Sequence, residues 1–431
     1  MCNRKENRMG LQTTMQGDRL QIAIFGKRNA GKSSVLNAIT GQSLAIVSQT
    51  KGTTTDPVYK AMEVLPLGPC MFIDTPGLDD EGELGKKRVE KAVQVLNKTD
   101  IALVVIDITT VTEEHLSEKR GLPAKEEEII SLLEEKKLPY IIILNKSDCI
   151  SDVEAEKFYR KISEKNAAVP VNVVSTTEKK GLEELKEALI SLAPDHDAKL
   201  HIVGDFIKEK DTVVLVVPVD SAAPKGRLIM PQQQVIRDIL DNHAVAVVTQ
   251  VPQLEQTLDN LKGKVRLVVT DSQAFKEVNA IVPKQILLTS FSILFARHKG
   301  NLKKLVQGVK AVDLLKDGDK VLIAEGCTHH RQCEDIGTVK IPRWLQNHTG
   351  KELVLETCSG TDFPADLSEY SLIIHCGGCT LHEKEMKHRI FRAGEQSVPI
   401  VNYGIFIAYV NGILARSVEI FPDIYTELST N

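Results

Sequence analysis

One glycine-rich segment limits the fold of this chain more than any other feature. Residues 26–34 read Gly-Lys-Arg-Asn-Ala-Gly-Lys-Ser-Ser, directly after the apolar run Gln21–Phe25 and before the helix-like stretch Val35–Thr40. Strand, glycine-rich loop and helix in this order form the P-loop pattern, in which backbone N–H groups, a lysine and a hydroxyl hold phosphates and Mg²⁺. The pattern therefore predicts a parallel α/β nucleotide-binding domain, because a chance glycine-rich turn seldom has this setting.

The loop also predicts which side chains meet the nucleotide. Lys32 is expected at the terminal phosphates, and the Ser33 hydroxyl at Mg²⁺. A second apolar run, Cys70–Ile73, ends in Asp74-Thr75-Pro76-Gly77, where Asp74 is the expected carboxylate beside Mg²⁺ and the Gly77 N–H is expected at the γ-phosphate. The loop residues predicted to bind the nucleotide are Gly26, Asn29, Ala30, Gly31, Lys32, Ser33 and Ser34.

A third strand-like run, Tyr140–Leu144, ends in Asn145-Lys146-Ser147-Asp148, which resembles the guanine-reading box of GTPases. The Asp148 carboxylate can accept both N–H donors of a guanine edge. Adenine offers no such pair, and an unpaired buried acceptor costs about 1–3 kcal/mol. GTP is thus the predicted nucleotide, read by Asn145, Lys146 and Asp148, with Ser175 in the last base-contacting loop.

The segment Gly52-Thr53-Thr54-Thr55-Asp56 resembles the first switch of tRNA-modification and Era-like GTPases. The resemblance implies that Thr54 closes on Mg²⁺, which gives Ser33, Thr54 and Asp74 as Mg²⁺ ligands. Asn29 matches a position that helps to hold potassium in potassium-activated members. Leu78 stands where small signalling GTPases carry a water-orienting glutamine, so slow, potassium-stimulated hydrolysis is expected. The predicted catalytic set is Lys32, Thr54, Asp74 and Gly77.

Composition and patterning bound the rest of the chain. With 54 basic and 58 acidic residues, the charge balance argues against a nucleic-acid binder. Apolar runs such as Ile101–Ile108 are much shorter than the roughly 20 residues of a membrane helix, and Met1–Gly17 has no signal-like apolar core. A cytoplasmic α/β protein is predicted, with a tail (1–17), a doubly wound GTPase domain (18–195), a small α/β domain (196–282) and a metal-binding α/β domain (283–431).

Cysteines follow two strand-like runs near the C-terminus. Asp319–Ala324 leads into Glu325-Gly326-Cys327-Thr328-His329, and Ser371–Ile374 leads into His375-Cys376-Gly377-Gly378-Cys379. Adjacent parallel strands end at one edge of a sheet, so Cys327 is predicted to meet Cys376 and Cys379. Three thiolates and a histidine suit structural zinc, and three thiolates equally suit three corners of a 4Fe-4S cluster. The spacing leaves both metals open.

The three parts together resemble the FeFe-hydrogenase maturation GTPases, the HydF family, from Leu20 to about Tyr425. Supporting stretches are Thr289–Phe295, Glu325–His330 and Gln332–Gly337. The resemblance implies a 4Fe-4S cluster on Cys327, Cys376 and Cys379, with His329, His375 or Glu334 as candidate fourth ligand. His375 has a second reading, in which it only supports the surroundings of the cluster.

The resemblance also implies a role. Members carry the two-iron precursor of the hydrogenase active site, are loaded by two radical-SAM enzymes and deliver the precursor to the apo-hydrogenase. They also form homodimers, and dimerisation would be the role of the middle domain. The alternative is an Era-like tRNA-modification or ribosome-assembly GTPase with a zinc-stapled C-terminal domain. Such proteins usually carry a basic RNA-binding module, and no lysine- and arginine-rich stripe occurs in this sequence.

Overall fold

The fold is taken from a computed structural model, which describes residues 19–40, 57–65, 67–75, 95–194, 201–218, 228–326, 335–360 and 362–429. The chain divides into two compact units, Met1–Ala198 and Lys199–Asn431. Among the described helices, none combines the length and the apolarity needed to cross a membrane.

The first unit contains one six-stranded sheet. Its strands are β1 (Leu20–Phe25), β2 (Val58–Val64), β3 (Gly68–Asp74), β4 (Ile101–Asp107), β5 (Tyr140–Asn145) and β6 (Val171–Val174), in the order β2-β3-β1-β4-β5-β6. Among its described residues, the helices are α1 (Lys32–Thr40), α2 (Ala124–Glu135), α3 (Asp152–Lys165) and α4 (Leu182–Leu192). All neighbours are parallel except β2 and β3. Residues of β1 and β5 are buried throughout, as expected for strands covered on both faces. The predicted P-loop α/β fold is confirmed.

The second unit contains two four-stranded parallel sheets. The middle sheet has the order β10-β9-β7-β8 and the last sheet the order β12-β11-β13-β14. The middle strands are β7 (Thr212–Val216), β8 (Val245–Thr249), β9 (Val265–Thr270) and β10 (Leu287–Ser290), and the last are β11 (Lys320–Glu325), β12 (Val354–Ser359), β13 (Leu372–His375) and β14 (Ile400–Asn402). The helices are α5 (Met230–Asp241), α6 (Leu254–Asn260), α7 (Phe275–Ile281), α8 (Phe291–Lys299), α9 (Leu302–Gly308), α10 (Ile341–Thr349), α11 (Glu383–Glu395), α12 (Tyr403–Val410), α13 (Leu414–Val418) and α14 (Pro422–Ser429).

The middle sheet extends beyond residue 282, where its domain was predicted to end. Strand β10 pairs in parallel with β9 and therefore belongs to this sheet. A single apolar core runs through both sheets, and buried polar bonds join them, as where Thr289 Oγ1 donates to the Ser417 carbonyl at 2.9 Å. The two sheets therefore share one core, which a boundary at residue 282 would divide.

Candidate functional site

The P-loop lies between β1 and α1, which begins at Lys32. Gly26 and Gly31 have φ values of +146° and +90°, and a Cβ on Gly26 would lie 2.2 Å from the Val105 carbonyl oxygen. Only glycine fits such a backbone. The Lys32 Nζ donates to the carbonyls of Gly26 and Lys27 at 2.8 Å each, so its ammonium lies over the loop where the phosphates are predicted.

The two described residues predicted to hold Mg²⁺ are in contact. Ser33 Oγ donates to Asp74 Oδ2 at 2.8 Å, although the two residues lie on α1 and at the end of β3. The neighbouring Thr75 hydroxyl donates to the Ile24 carbonyl at 2.7 Å and fixes the end of β3 against β1. The other predicted residues here, Thr54 and Gly77, lie outside the described residues.

The guanine box lies at the carboxyl end of β5, beside the P-loop. The buried Asn145 donates its Nδ2 to the Ala30 carbonyl at 2.9 Å, which joins the box to the loop. Its Oδ1 is buried and accepts no hydrogen bond among the described residues, as suits an acceptor facing a ligand. Ser175 Oγ donates to Asp148 Oδ1 at 2.6 Å and holds the pKa of that carboxyl below its ordinary value. Ser175 thus lies at the box.

One partner in this site was missed from the sequence. Asp107, the last residue of β4, forms an ion pair with Lys146. Burial raises the pKa of Asp107, but hydrogen bonds from Lys146 and Thr109 outweigh it and hold that pKa below its ordinary value. Lys146 itself has φ +66°. The available signal was a lone carboxylate ending the strand next to β5, where parallel strands place functional side chains.

Asn29, the residue predicted to hold potassium, is exposed in the P-loop with φ +63°. Asparagine tolerates this left-handed conformation better than most residues, so its presence fits the loop whether or not a cation binds. Ser34 is likewise exposed on the first turn of α1. Every described residue predicted for the nucleotide thus lies on the P-loop, on the first turn of α1, or at the ends of β3, β5 and β6.

The second candidate site lies where β11 and β13 end side by side. Ala324 pairs with His375, and the Cys376 N–H donates to the Ala324 carbonyl at 2.8 Å. The Cys376 Sγ then accepts the N–H groups of Gly326 at 3.0 Å and Gly378 at 3.4 Å. Gly326, whose N–H contacts the Cys376 sulfur, is the residue directly before Cys327 in the sequence. Cys327 itself lies outside the described residues.

The turn Cys376–Cys379 is held against the end of β11. Gly378 has φ +61°, and Thr380 Oγ1 donates to the Gly326 carbonyl at 3.0 Å. Burial and the neighbouring Cys376 raise the pKa of the Cys379 thiol to about 11, against an opposing effect of Lys299. Such a thiol keeps its proton at neutral pH unless a metal replaces it. Backbone donors to one sulfur and a second buried thiol fit a soft metal or an iron–sulfur cluster.

His375 is fully buried, and both ring nitrogens contact protein groups. Nε2 lies 3.1 Å from Arg389 Nη1, and Nδ1 lies 2.7 Å from the Cys376 carbonyl oxygen. Because arginine only donates, Nε2 accepts and Nδ1 carries the proton. Burial, and after it the Arg389 guanidinium, lower the pKa of His375 to about 3, so the ring is neutral. Of its two predicted roles, these contacts favour support of the turn over ligation, because neither nitrogen is available to iron.

The remaining candidate fourth ligands, His329 and Glu334, lie outside the described residues. Within the described ranges, no three side chains suited to a metal come together. The two described cysteines of the predicted set are neighbours on one turn, and Gly326 contacts the sulfur of one of them. Sequence reasoning missed the buried cations around this turn, Arg389 and Lys299, because Lys299 is 80 residues from Cys379 and the contact of Arg389 depends on how its helix packs.

Family models match three successive parts of the chain. Residues 202–300 match the hydrogen maturase F dimerization domain, and residues 303–420 match the hydrogen maturase F tetramerization domain. Together these two matches cover half of the chain. The chain belongs to the hydrogen maturase F (HydF) family. Residues 21–146 match a GTPase family described as 50S ribosome-binding GTPase, so this HydF-family chain has a GTPase domain. Both HydF matches are to self-association domains.

Two curated GTPases each match less than half of the chain. GTPase Der of Kosmotoga olearia is 32% identical over 191 residues, covering 42% of this chain and 41% of that protein. The tRNA modification GTPase MnmE of Thermoanaerobacter sp. is 35% identical over 197 residues, covering 46% of this chain and 37% of that protein. The HydF-family chain thus spans about two fifths of the length of these relatives.

Solved structures match weakly. A crystal structure of Aquifex aeolicus Era bound to GDP.AlF4− is 20% identical, with a TM-score of 0.35 and coverage of 57% of this chain and 98% of that one. The G domain of the T. maritima FeoB iron transporter is 24% identical, with a TM-score of 0.30 and coverage of 41% and 99%.

Proposed function

We propose that this chain is a GTP-hydrolysing scaffold that holds a 4Fe-4S cluster on Cys327, Cys376 and Cys379 and assembles and delivers the two-iron precursor of the FeFe-hydrogenase active site. The observation that carries the proposal is the contact between the Gly326 N–H and the Cys376 sulfur. It puts the residue next to Cys327 against the cysteine turn, in a chain that matches both hydrogen maturase F domains.

The chain's own residues have separable tasks at this site. The N–H groups of Gly326 and Gly378 stabilise charge on the Cys376 sulfur, and His375 and Arg389 hold the turn from the core. When bound, the cluster would supply an iron corner without a cysteine, to which an exchangeable group can attach. His329 and Glu334 are then the candidates for that corner, since His375 is engaged elsewhere.

Anaerobic reconstitution with iron and sulfide tests the cluster. We expect a brown protein with an EPR signal after reduction, and loss of iron in Cys327→Ala, Cys376→Ala and Cys379→Ala. Cys149→Ala is the matched control, because that cysteine is exposed in the other unit. A colourless protein with one bound zinc would contradict the proposal and favour the zinc-stapled alternative.

The GTPase domain is proposed to hydrolyse GTP slowly and with potassium stimulation. Lys32 and Gly77 would act on the γ-phosphate, Ser33, Thr54 and Asp74 would hold Mg²⁺, and Asn29 would help to hold K⁺. The support is the P-loop geometry together with Leu78 in place of a glutamine. Hydrolysis rates in KCl and NaCl at equal ionic strength test the cation. Equal rates would contradict the role of Asn29.

Homodimerisation is proposed to use the edge strand β8. Val245 and Val248 are 48% and 47% exposed there, within the region that matches the dimerization domain. An apolar strand with unpaired edge groups is suited to pairing with the same strand of a second copy. Val248→Lys should lower the mass measured by light scattering to that of a smaller assembly. Val153→Lys, at a valine 81% exposed on α3, is the matched control.

The partners are proposed from the family. The carrier would be loaded by radical-SAM maturation enzymes and would deliver to apo-FeFe-hydrogenase in the cytoplasm, without membrane or nucleic acid. The rival role, in tRNA modification or ribosome assembly, rests on the likeness of the GTPase domain to MnmE and Era. Co-purification distinguishes the two. Recovery with ribosomes or tRNA, and none with apo-hydrogenase, would favour the rival.

A further inference from the structure

Residues 202–300 form the middle module, and its last helix, α8, carries a buried lysine that reaches the cysteine turn. Lys299 ends α8 and is only 1% exposed, although an ammonium is costly to bury unless hydrogen bonds compensate. Its Nζ donates to the carbonyl oxygens of Cys379 at 3.1 Å and Leu381 at 3.2 Å. The Phe295 ring lies 5.8 Å from the same nitrogen. The charge is therefore directed at the backbone of the turn.

Both carbonyls that accept from Lys299 lie in the short segment from the end of the cysteine turn to α11. One is the carbonyl of Cys379 itself, and the other, Leu381, precedes α11 by two residues. The same segment is also tied to the end of β11, where Thr380 Oγ1 donates to the Gly326 carbonyl. Lys299 and Thr380 thus fix the Cys379 end of the turn through separate hydrogen bonds, one set to α8 and one to β11.

Charge is the second consequence of this placement. A 4Fe-4S cluster held by thiolates carries net negative charge, which becomes more negative when the cluster is reduced. Hydrogen bonds, net charge and burial around a cluster are the levers by which a protein sets its reduction potential. A buried ammonium bonded to the backbone of a ligand residue favours the reduced form, because little water is present to screen it.

We propose that Lys299 is a positioning residue of the cysteine site: it fixes the backbone of Cys379 and raises the reduction potential of the cluster. This inference rests on the proposed function, since it assumes that the turn holds an iron–sulfur cluster. It adds that the middle module supplies a residue to the cluster's surroundings. The competing reading is that Lys299 only fills space in the core, in which case its charge would not affect the cluster.

The test compares full-length Lys299→Met and Lys299→Arg with the unmodified chain. Methionine keeps most of the side-chain volume without charge or donors, and arginine keeps both. The matched control is Lys303→Met on α9, where the lysine side chain is 62% exposed and pairs with Glu427. Measurements are iron content, the midpoint potential by EPR-monitored titration, the rate of iron loss to a chelator, and the melting temperature of the apo-protein.

We expect Lys299→Met to shift the midpoint potential to more negative values and to lose iron faster, and its apo-protein to melt at a lower temperature because the Cys379 and Leu381 carbonyls lose their donor. Lys299→Arg should restore the potential and the rate of iron loss, and Lys303→Met should change neither. An unchanged potential and rate in Lys299→Met overturns the inference. So does a fall in apo-protein melting without a change in potential.

If Lys299→Met does not fold, Lys299→Gln removes the charge and keeps a donor. A negative shift in that variant supports the inference, and failure of both variants to fold shows a purely structural lysine and overturns it. Failure of the proposed function looks different, because the unmodified chain would then bind no iron–sulfur cluster at all.

Discussion

The nucleotide site and the cysteine turn occupy equivalent places, at the carboxyl ends of parallel strands, yet they are held in different ways. The P-loop is held largely by its own residues: the Lys32 side chain donates to carbonyls five and six residues away, and one further bond comes from Asn145. The cysteine turn is fixed by buried side chains from other helices, Lys299 on α8 and Arg389 on α11. A local motif can thus carry the first site, whereas the second depends on the packing of its whole unit.

The largest expected effect separates the two sites. Lys32→Ala should lower GTP hydrolysis by roughly 10²–10³-fold, the usual cost of removing a charge that stabilises the transition state, and should leave iron binding unchanged. Cys376→Ala should abolish cluster binding and leave GTP hydrolysis unchanged. Phosphate release and iron content of the same preparations measure both. Loss of the cluster in Lys32→Ala would show that the sites are not independent.

A second expected effect measures how much the turn depends on its buried support. Arg389 is 1% exposed, donates to the Gly360 carbonyl at 2.6 Å and pairs with Glu385 at 2.9 Å. Arg389→Met should destabilise the unit by about 3 kcal/mol, because it leaves buried partners without their donor. Urea unfolding of the apo-protein measures this loss.

The control for this variant is Lys387→Met on the same helix. Its side chain is 56% exposed, so a change within about 0.5 kcal/mol is expected. Equal losses in the two variants would contradict the view that buried side chains hold the turn.

Two adjacent glycines provide a smaller, internally controlled comparison. Gly378 has φ +61°, and an added Cβ would lie 3.2 Å from Met386 Sδ, whereas at Gly377 it would meet only Ser292 Oγ at an ordinary 3.5 Å. Gly378→Ala should therefore cost about 1–2 kcal/mol through the left-handed backbone, and Gly377→Ala much less. Unfolding of the apo-protein compares them, and the reverse order would show that the turn differs from this geometry.

The smallest expected effect concerns pH and the guanine box. Ser175 lowers the pKa of Asp148, so the carboxylate stays ionised below the usual value of 3.8. Ser175→Ala should weaken GDP binding by about 1 kcal/mol at neutral pH. In this variant the pKa of the Asp148 carboxyl rises towards its usual value. On acidification, the variant therefore loses GDP binding at a higher pH than the unmodified chain does. Affinity for a fluorescent GDP analogue, compared at each pH with Ser191→Ala, measures the difference. A constant ratio at every pH would contradict this account.

The sequence predicted which side chains of the candidate nucleotide site would lie together, because most of the determinants are local. Residues 26–34 carry the loop, the lysine and the hydroxyl together, Asn145 and Ser175 follow directly on apolar runs, and Asp148 is three residues beyond Asn145. Adjacent parallel strands then bring them to one edge, as the contacts of Asn145 with Ala30 and of Ser175 with Asp148 show. Asp107 was missed because the one available signal, a lone carboxylate at the end of β4, does not reveal that it pairs with Lys146.

The cysteine site was predictable only in outline. Strand ends placed Gly326 beside Cys376, but the bond from Arg389 to His375 depends on how α11 packs on β13. From the sequence alone, His375 could equally be predicted as a ligand of the cluster or as a residue that supports the turn. For a similar reason, the predicted domain boundary at residue 282 separated β10 from β9, with which it pairs. A short apolar run does not reveal which strand it will pair with.

The shared core of the two C-terminal sheets restricts how this half of the chain can be divided. A protein cut after residue 282 would lack β10, so β9 would become a bare edge and the apolar core that the two sheets share would be exposed to water. The half can therefore be inherited, exchanged or engineered only as one piece, although its two parts match different domain families.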